Sequence, residues 1–291
     1  MNGRRIVFRL LAVTCDIIDP LRVNGETTLN KTVRRILLVI LIGIFCFSTG
    51  KVIYNKLQDI REQKASQELA AQVHAIEQEM EQEEKTDEEK GAHSIYAPSG
   101  RLKQYDALYE ENNDLTGWIY IPDSAIDYPV MYTPNNIEKY LRKNFKQQYA
   151  LSGEPFFGEG WDPEGNFGII YGHHMEDGTK CADWMFYADE EYKNSHPIVY
   201  FDTLTERRQY EVVAAFYTKI PYVSDTTTFR YFEYTGLPDE KTFDYYVAQC
   251  KKASQYDTGI TPVWGDRLLV LSTCSFHTKH GRFVILLRQI Q

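Results

Sequence analysis

Positive charge is scarce in this chain. Lys and Arg number 32 against 41 Asp and Glu, for a net charge of −9. Phosphate backbones are gripped by a clustered basic excess, so nucleic acid is not an expected partner. Cysteine is sparse and unpaired: Cys15, Cys46, Cys181, Cys250 and Cys274 are five in number, scattered, with no C-x-x-C. That pattern excludes a disulfide framework and a zinc ribbon. With 18 Gly, 11 Pro, 43% apolar and 14% aromatic residues among 291, the chain is neither collagen-like nor wholly disordered. It is long enough for one large domain or two small ones.

Long hydrophobic runs are also rare, and the main exception stands near the amino end. Ile36 to Phe47 contains no charge. With Lys51 snorkelling and Val52-Ile53-Tyr54 extending it, residues 36–54 reach the roughly 20 residues that cross a bilayer. Arg4, Arg5, Arg9, Arg22, Lys31, Arg34 and Arg35 precede the run and few basic residues follow closely. The positive-inside bias therefore predicts a transmembrane anchor with residues 1–35 in the cytoplasm and the bulk of the protein outside. A cleaved signal peptide would start nearer residue 1 and end at a better site than Ser48-Thr49-Gly50-Lys51; a buried core helix is the other alternative. The apolar segment 6–18 suits either the inner membrane surface or a plain cytoplasmic tail.

From Lys56 to Lys90 the chain has no Gly or Pro, is mostly Glu, Gln, Lys, Asp and Ala, and carries only scattered apolar residues. This favours helix and predicts a solvated, charged stalk over 55–99 that buries no core. A coiled coil is the alternative, although apolar residues do not hold a heptad spacing. Gly91 to Gly100, with Pro98, marks the boundary of a globular domain at 100–291. There, Leu102–Asn112 reads as helix. Short β-branched and aromatic runs follow at 117–122, 126–131, 168–172, 198–201, 209–217, 267–272 and 282–288. Their spacing predicts a closed or sandwiched antiparallel sheet. Asp239–Ser254 reads as an interrupting helix with Phe243, Tyr246, Val247 and Cys250 facing inward, so Cys250 is expected in the core.

Cys274 differs from the other thiols. It ends the apolar run Leu268–Thr273, and Ser275-Phe276-His277-Thr278-Lys279-His280-Gly281 follows. A strand end faces clefts, and neighbouring cations favour the thiolate that a nucleophile requires. A buried structural cysteine is the plain alternative; zinc held by Cys274, His277 and His280 is another, with no established ligand spacing behind it. A proton carrier is sought in Tyr171-Gly172-His173-His174-Met175, where another strand runs into a polar turn. Adjacent histidines on a strand point to opposite faces, so one of the two is expected to face Cys274. Arg282 opens the strand after the Cys274 loop. If that strand pairs antiparallel with its predecessor, its guanidinium returns to the thiol as a fixed donor set for a developing oxyanion.

Leu271-Ser272-Thr273-Cys274, Arg282-Phe283-Val284-Ile285 and Tyr171-Gly172-His173-His174-Met175 together resemble the motifs of the sortases, cysteine transpeptidases of Gram-positive bacterial surfaces. The histidine segment resembles the class B branch, as do Tyr128-Pro129-Val130 and the helix before Gly117-Trp118. The resemblance spans about residues 100–291. Ser275-Phe276-His277 stands where many class B members carry an acidic or polar stretch. The resemblance implies a mainly β fold: a sortase-like closed β-barrel with peripheral helices, preceded by one transmembrane helix and a helical stalk. It also implies that Cys274 is the nucleophile, His173 the general acid/base and Arg282 the oxyanion or substrate-backbone stabiliser, with His174 at a variable position. Ser272, Thr273 and Ser275, the hydroxyl residues flanking the nucleophile, are expected to bind substrate.

The implied reaction cleaves a carboxy-terminal sorting motif after Thr through a thioester and passes the acyl group to an amine. The expected partners are surface proteins bearing that motif and, as acceptor, a peptidoglycan precursor's amine or a pilin lysine. No cofactor and no metal is required for that chemistry. The alternatives are a pilin-polymerising sortase and a catalytically silent, membrane-tethered peptide-binding β-barrel.

Overall fold

The structure, a computed structural model, describes residues 31–86, 94–175 and 178–291. Arg4, Arg5, Arg9, Arg22, Cys15 and the segment 6–18 lie outside the described residues, as does the start of the Gly91–Gly100 break. The chain divides into two units, 1–55 and 56–291. Helix α1, Lys31–Thr86, runs through both. Within the first unit, residues 33–55 are exposed throughout although most are apolar, and this helix is long and apolar enough to cross a membrane. Exposed apolar surface of that extent is otherwise unfavourable in water.

The second unit is a closed eight-stranded barrel: β1 Leu115–Tyr120, β2 Asp127–Met131, β3 Phe156–Phe157, β4 Phe167–Gly172, β5 Ile198–Thr203, β6 Gln209–Lys219, β7 Leu268–Cys274 and β8 Gly281–Gln289. Around the barrel the order is β1-β2-β3-β4-β7-β8-β6-β5, closing on β1. The expected antiparallel sheet is corrected here, because β2 with β3 and β4 with β7 run parallel. Period-2 patterning reports which face is buried but not which strand lies alongside. Strand β3 escaped sequence reading because two residues carry no periodicity.

Three buried clusters hold the unit together. Barrel strands supply most of one interior, built around Phe157, Phe201, Leu271 and Ile285, with Trp184 entering from the 3-10 segment Cys181–Ala188. Helix α4, Glu240–Ala253, which follows the short helix α3, Glu190–Ser195, closes a second, in which Phe243, Tyr246, Val247 and Cys250 meet Val270 and Leu286. Asp239 caps α4 by accepting from the Thr242 N–H at 2.8 Å, satisfying one of its free first-turn donors. Cys250 is thus a core residue. The third cluster joins α2, Lys103–Glu111, to β1 and to α1 itself: Leu69, Ala70 and Val73 pack with Leu102, Tyr105, Leu115 and Trp118.

That contact changes the reading of residues 55–99. The segment is helical through Thr86, but Glu62, Ser66, Leu69, Ala70 and Val73 are buried, at helical spacing, against the barrel. His74 adds a link to Asp127 at 2.7 Å. The stripe was missed because two of its five members, Glu62 and Ser66, read as polar and Ala70 as neutral. Their partners lie far away in sequence.

Candidate active site

Parallel neighbours end on the same side of a sheet, and this decides the site. In the β4–β7 ladder Gly172 stands beside Thr273; the next residues are His173 and Cys274. Thr273 Oγ1 donates to the Gly172 carbonyl at 2.7 Å, fastening the two strand ends. On the other side of β7, the antiparallel ladder with β8 sets Cys274 opposite Arg282. Strands in one sheet lie about 4.8 Å apart, so a thiol, an imidazole and a guanidinium arise from three adjacent strand ends on one barrel rim. All three residues are partly exposed.

His173 is held at two points. Its ring donates from Nε2 to the carbonyl of Leu141 at 2.8 Å, and its own carbonyl accepts from the Cys181 N–H at 3.0 Å. A carbonyl only accepts, so Nε2 carries the proton and, in the neutral ring, Nδ1 carries the lone pair. Burial lowers the pKa of His173 below the ordinary 6.5, the Leu141 hydrogen bond opposes this, and the charges of Arg142, Arg282 and Lys180 lower it further. Gly172 is required beside it, since a Cβ there would collide with the Cys181 side chain. His174 is not idle: its Nδ1 lies 3.1 Å from the Cys274 carbonyl and its ring rests on Phe276.

Arg282 donates to the Gly281 carbonyl at 2.9 Å. Burial pushes the Tyr171 phenol up to about 12, and the Arg282 charge pulls against that shift. The loop from Cys274 to Arg282 is closed by Ser275 N–H to the Gly281 carbonyl at 3.0 Å. It turns Phe276 outward, 65% exposed. His277 sits 2.8 Å from Ser275 Oγ and against Tyr217, whereas His280 faces Tyr222. Cys274, His277 and His280 are therefore not gathered as a ligand set, and among the described residues no three of His, Cys, Asp and Glu converge to hold a metal ion.

The three hydroxyl residues expected to bind substrate are corrected in part. Ser272, Thr273 and Ser275 are 1%, 2% and 4% exposed. Ser272 Oγ pairs with the Tyr231 hydroxyl at 2.7 Å, Thr273 with Gly172, and Ser275 with His277. Their side chains are spent on internal bonds, because a polar group buried at a strand end needs a partner. Sequence reading also missed Leu141, on the 3-10 turn Ile137–Arg142. A residue that acts through its carbonyl leaves no mark in its side-chain identity.

No protein-family model matches the chain. It is 32% identical over 184 residues to sortase B of Listeria monocytogenes, covering 61% of this chain and 70% of that protein. A Staphylococcus aureus sortase B–substrate complex superposes with a TM-score of 0.65 at 21% identity, over 81% of this chain and 99% of the other. A sortase B complexed with Gly3 superposes with a TM-score of 0.64 at 22% identity, over 80% and 99%. The barrel and its relatives define a cysteine transpeptidase of the sortase type. The chain belongs to the sortase B family.

Proposed function

We propose that the protein is a membrane-anchored transpeptidase in which Cys274 is the nucleophile, His173 carries the proton and Arg282 stabilises the oxyanion. The observation that carries this reading is the register of β4, β7 and β8, which sets the end of β4 beside His173, the end of β7 at Cys274 and the start of β8 at Arg282 on one rim. In acylation, the Cys274 proton passes to His173 Nδ1 and the sulfur bonds to the carbonyl carbon of the motif's threonine. Arg282 faces the oxygen that gains charge. As the C–N bond breaks, the proton on His173 goes to the departing amine, leaving a thioester. An incoming amine then gives a proton to His173, attacks the thioester and releases the Cys274 sulfur, which takes the proton back. Dividing amide cleavage in this way replaces one high barrier with two lower ones.

The exposed apolar stretch of α1 supports anchoring, and the basic residues that precede it support a cytoplasmic amino end with the barrel outside the cell membrane. The substrate class is a surface protein with a carboxy-terminal sorting motif. The acceptor is an amine of the cell-wall precursor, a choice supported by the glycine peptide held by a related fold.

The test is intact-mass spectrometry of the full chain in detergent micelles with a panel of short sorting peptides. A peptide-acyl adduct on Cys274, absent in Cys274→Ala and discharged by oligoglycine, is the expected result. Discharge by a lysine amine alone would instead indicate pilin polymerisation. No adduct with any peptide, from a folded protein with an unreactive thiol, would favour a silent binding barrel.

A further inference from the structure

Lys180 and Glu154 form an ion pair inside the protein, 4% exposed at both residues, with Nζ 2.8 Å from the carboxylate. Removing two charges from water costs more than a surface pair repays, so such a pair adds little to stability by itself. Its placement is informative, because each partner belongs to a segment that grips His173. Lys180 closes the loop after the histidine: it bridges to His174 across an antiparallel pair, with a left-handed φ of 56°, and the next N–H, Cys181, holds the His173 carbonyl. Glu154 braces the other grip. Its N–H donates to the Tyr140 carbonyl at 3.1 Å, and Gly153 before it packs so closely on the Tyr140 and Leu141 carbonyls that no Cβ fits. Leu141 is the residue from which the His173 ring hangs.

Helix α1 completes the arrangement. Ser66 Oγ accepts from Lys180 Nζ at 2.9 Å, and Glu62 accepts from Ser152 Oγ at 2.7 Å. One helix face therefore touches both the loop behind His173 and the segment beneath Leu141.

We propose that Lys180 and Glu154 are positioning residues that clamp the two supports of His173 together, and that α1, through Ser66 and Glu62, holds the clamp shut. This rests on the reading of His173 as the proton carrier. The segment between anchor and barrel is thus a working part of the catalytic unit in addition to being its tether.

The experiment compares the wild-type full chain in detergent micelles with Glu154→Leu/Lys180→Met, Ser66→Ala and His173→Ala. It follows thioester formation by intact mass, thermal melting and the titration of the His173 ring by NMR. Replacing both charges at once avoids stranding either, so melting is expected to stay close to wild type. Acylation by the double variant is expected to slow by roughly ten- to a hundredfold through misplacement of the ring. KM for the peptide is expected to hold, and the His173 titration to move upward with the nearby cation gone. Ser66→Ala removes one hydroxyl without disturbing the fold and is expected to slow acylation by about two- to tenfold. Wild-type acylation in both variants, with His173→Ala inactive, would overturn the clamp and leave the role of His173 standing. Wild-type acylation in His173→Ala would overturn both. Slowing accompanied by an equal loss of folded protein and an unmoved His173 titration would reduce the pair to a structural one.

Discussion

His173 hangs by Nε2–H from the main-chain carbonyl of Leu141, 2.8 Å away, which leaves Nδ1 as the ring nitrogen open to accept a proton. Burial leads the lowering of its pKa from 6.5, so the ring is neutral at pH 7. The unfolded chain takes up this proton first as pH falls. The contribution to stability is thus full above about pH 6.5 and shrinks in the window between 6.5 and the lower folded value. In a Cys274→Ala chain, NMR of the His173 ring is expected to show a midpoint below 6.5, and the acid limb of kcat/KM in the wild type to follow it. A midpoint at or above 6.5 would contradict the buried setting.

Arg282 lies across the β7–β8 ladder from Cys274. Arg282→Met removes charge and donors together, with an expected loss of about 10²–10³ in acylation rate and little change in melting. Because the Arg282 charge also lowers the His173 pKa, the same variant is expected to shift that titration upward. The two measurements separate an electrostatic residue from a packing one.

Leu69 and Val73 belong to the third core and are 5% and 1% exposed. A fragment covering 56–291 is expected to melt cooperatively. One covering 95–291 leaves Leu102, Tyr105 and Trp118 without this cover and is expected to lose about 3–5 kcal/mol at the rough value of a buried aliphatic side chain. Urea denaturation of the two fragments checks it, and equal midpoints would return 55–99 to the status of a spacer.

The Tyr231 hydroxyl and Ser272 Oγ satisfy each other in the interior. Tyr231→Phe leaves a buried hydroxyl without its partner and is expected to cost about 1–3 kcal/mol. Adding Ser272→Ala is expected to recover part of that. A double-mutant cycle on the 56–291 fragment measures the coupling.

Of the three cysteines in that fragment, Cys181 and Cys250 are fully buried and Cys274 is partly exposed. Burial pushes both buried thiols up. Under native conditions iodoacetamide is expected to label Cys274 alone, with the other two reacting only after denaturation. Peptide mapping reads the result.

Local chemistry carried much of this in the sequence. The apolar run at 36–54, the inward face of α4 with Cys250, most strand positions and the candidacy of Cys274, His173 and Arg282 are written in patterns a few residues long. Burial, period and strand-end position follow from such patterns. The tertiary structure alone decided that β4 and β7 are parallel, which sets two distant strand ends side by side. It also decided that Leu141 holds the His173 ring, that Ser272 and Thr273 turn inward, and that residues 62–73 of α1 pack on the barrel. These are pairings between segments separated by tens of residues or made through main-chain carbonyls. The free energy that selects them comes from packing and hydrogen-bond satisfaction across the whole unit, which no local window of sequence contains.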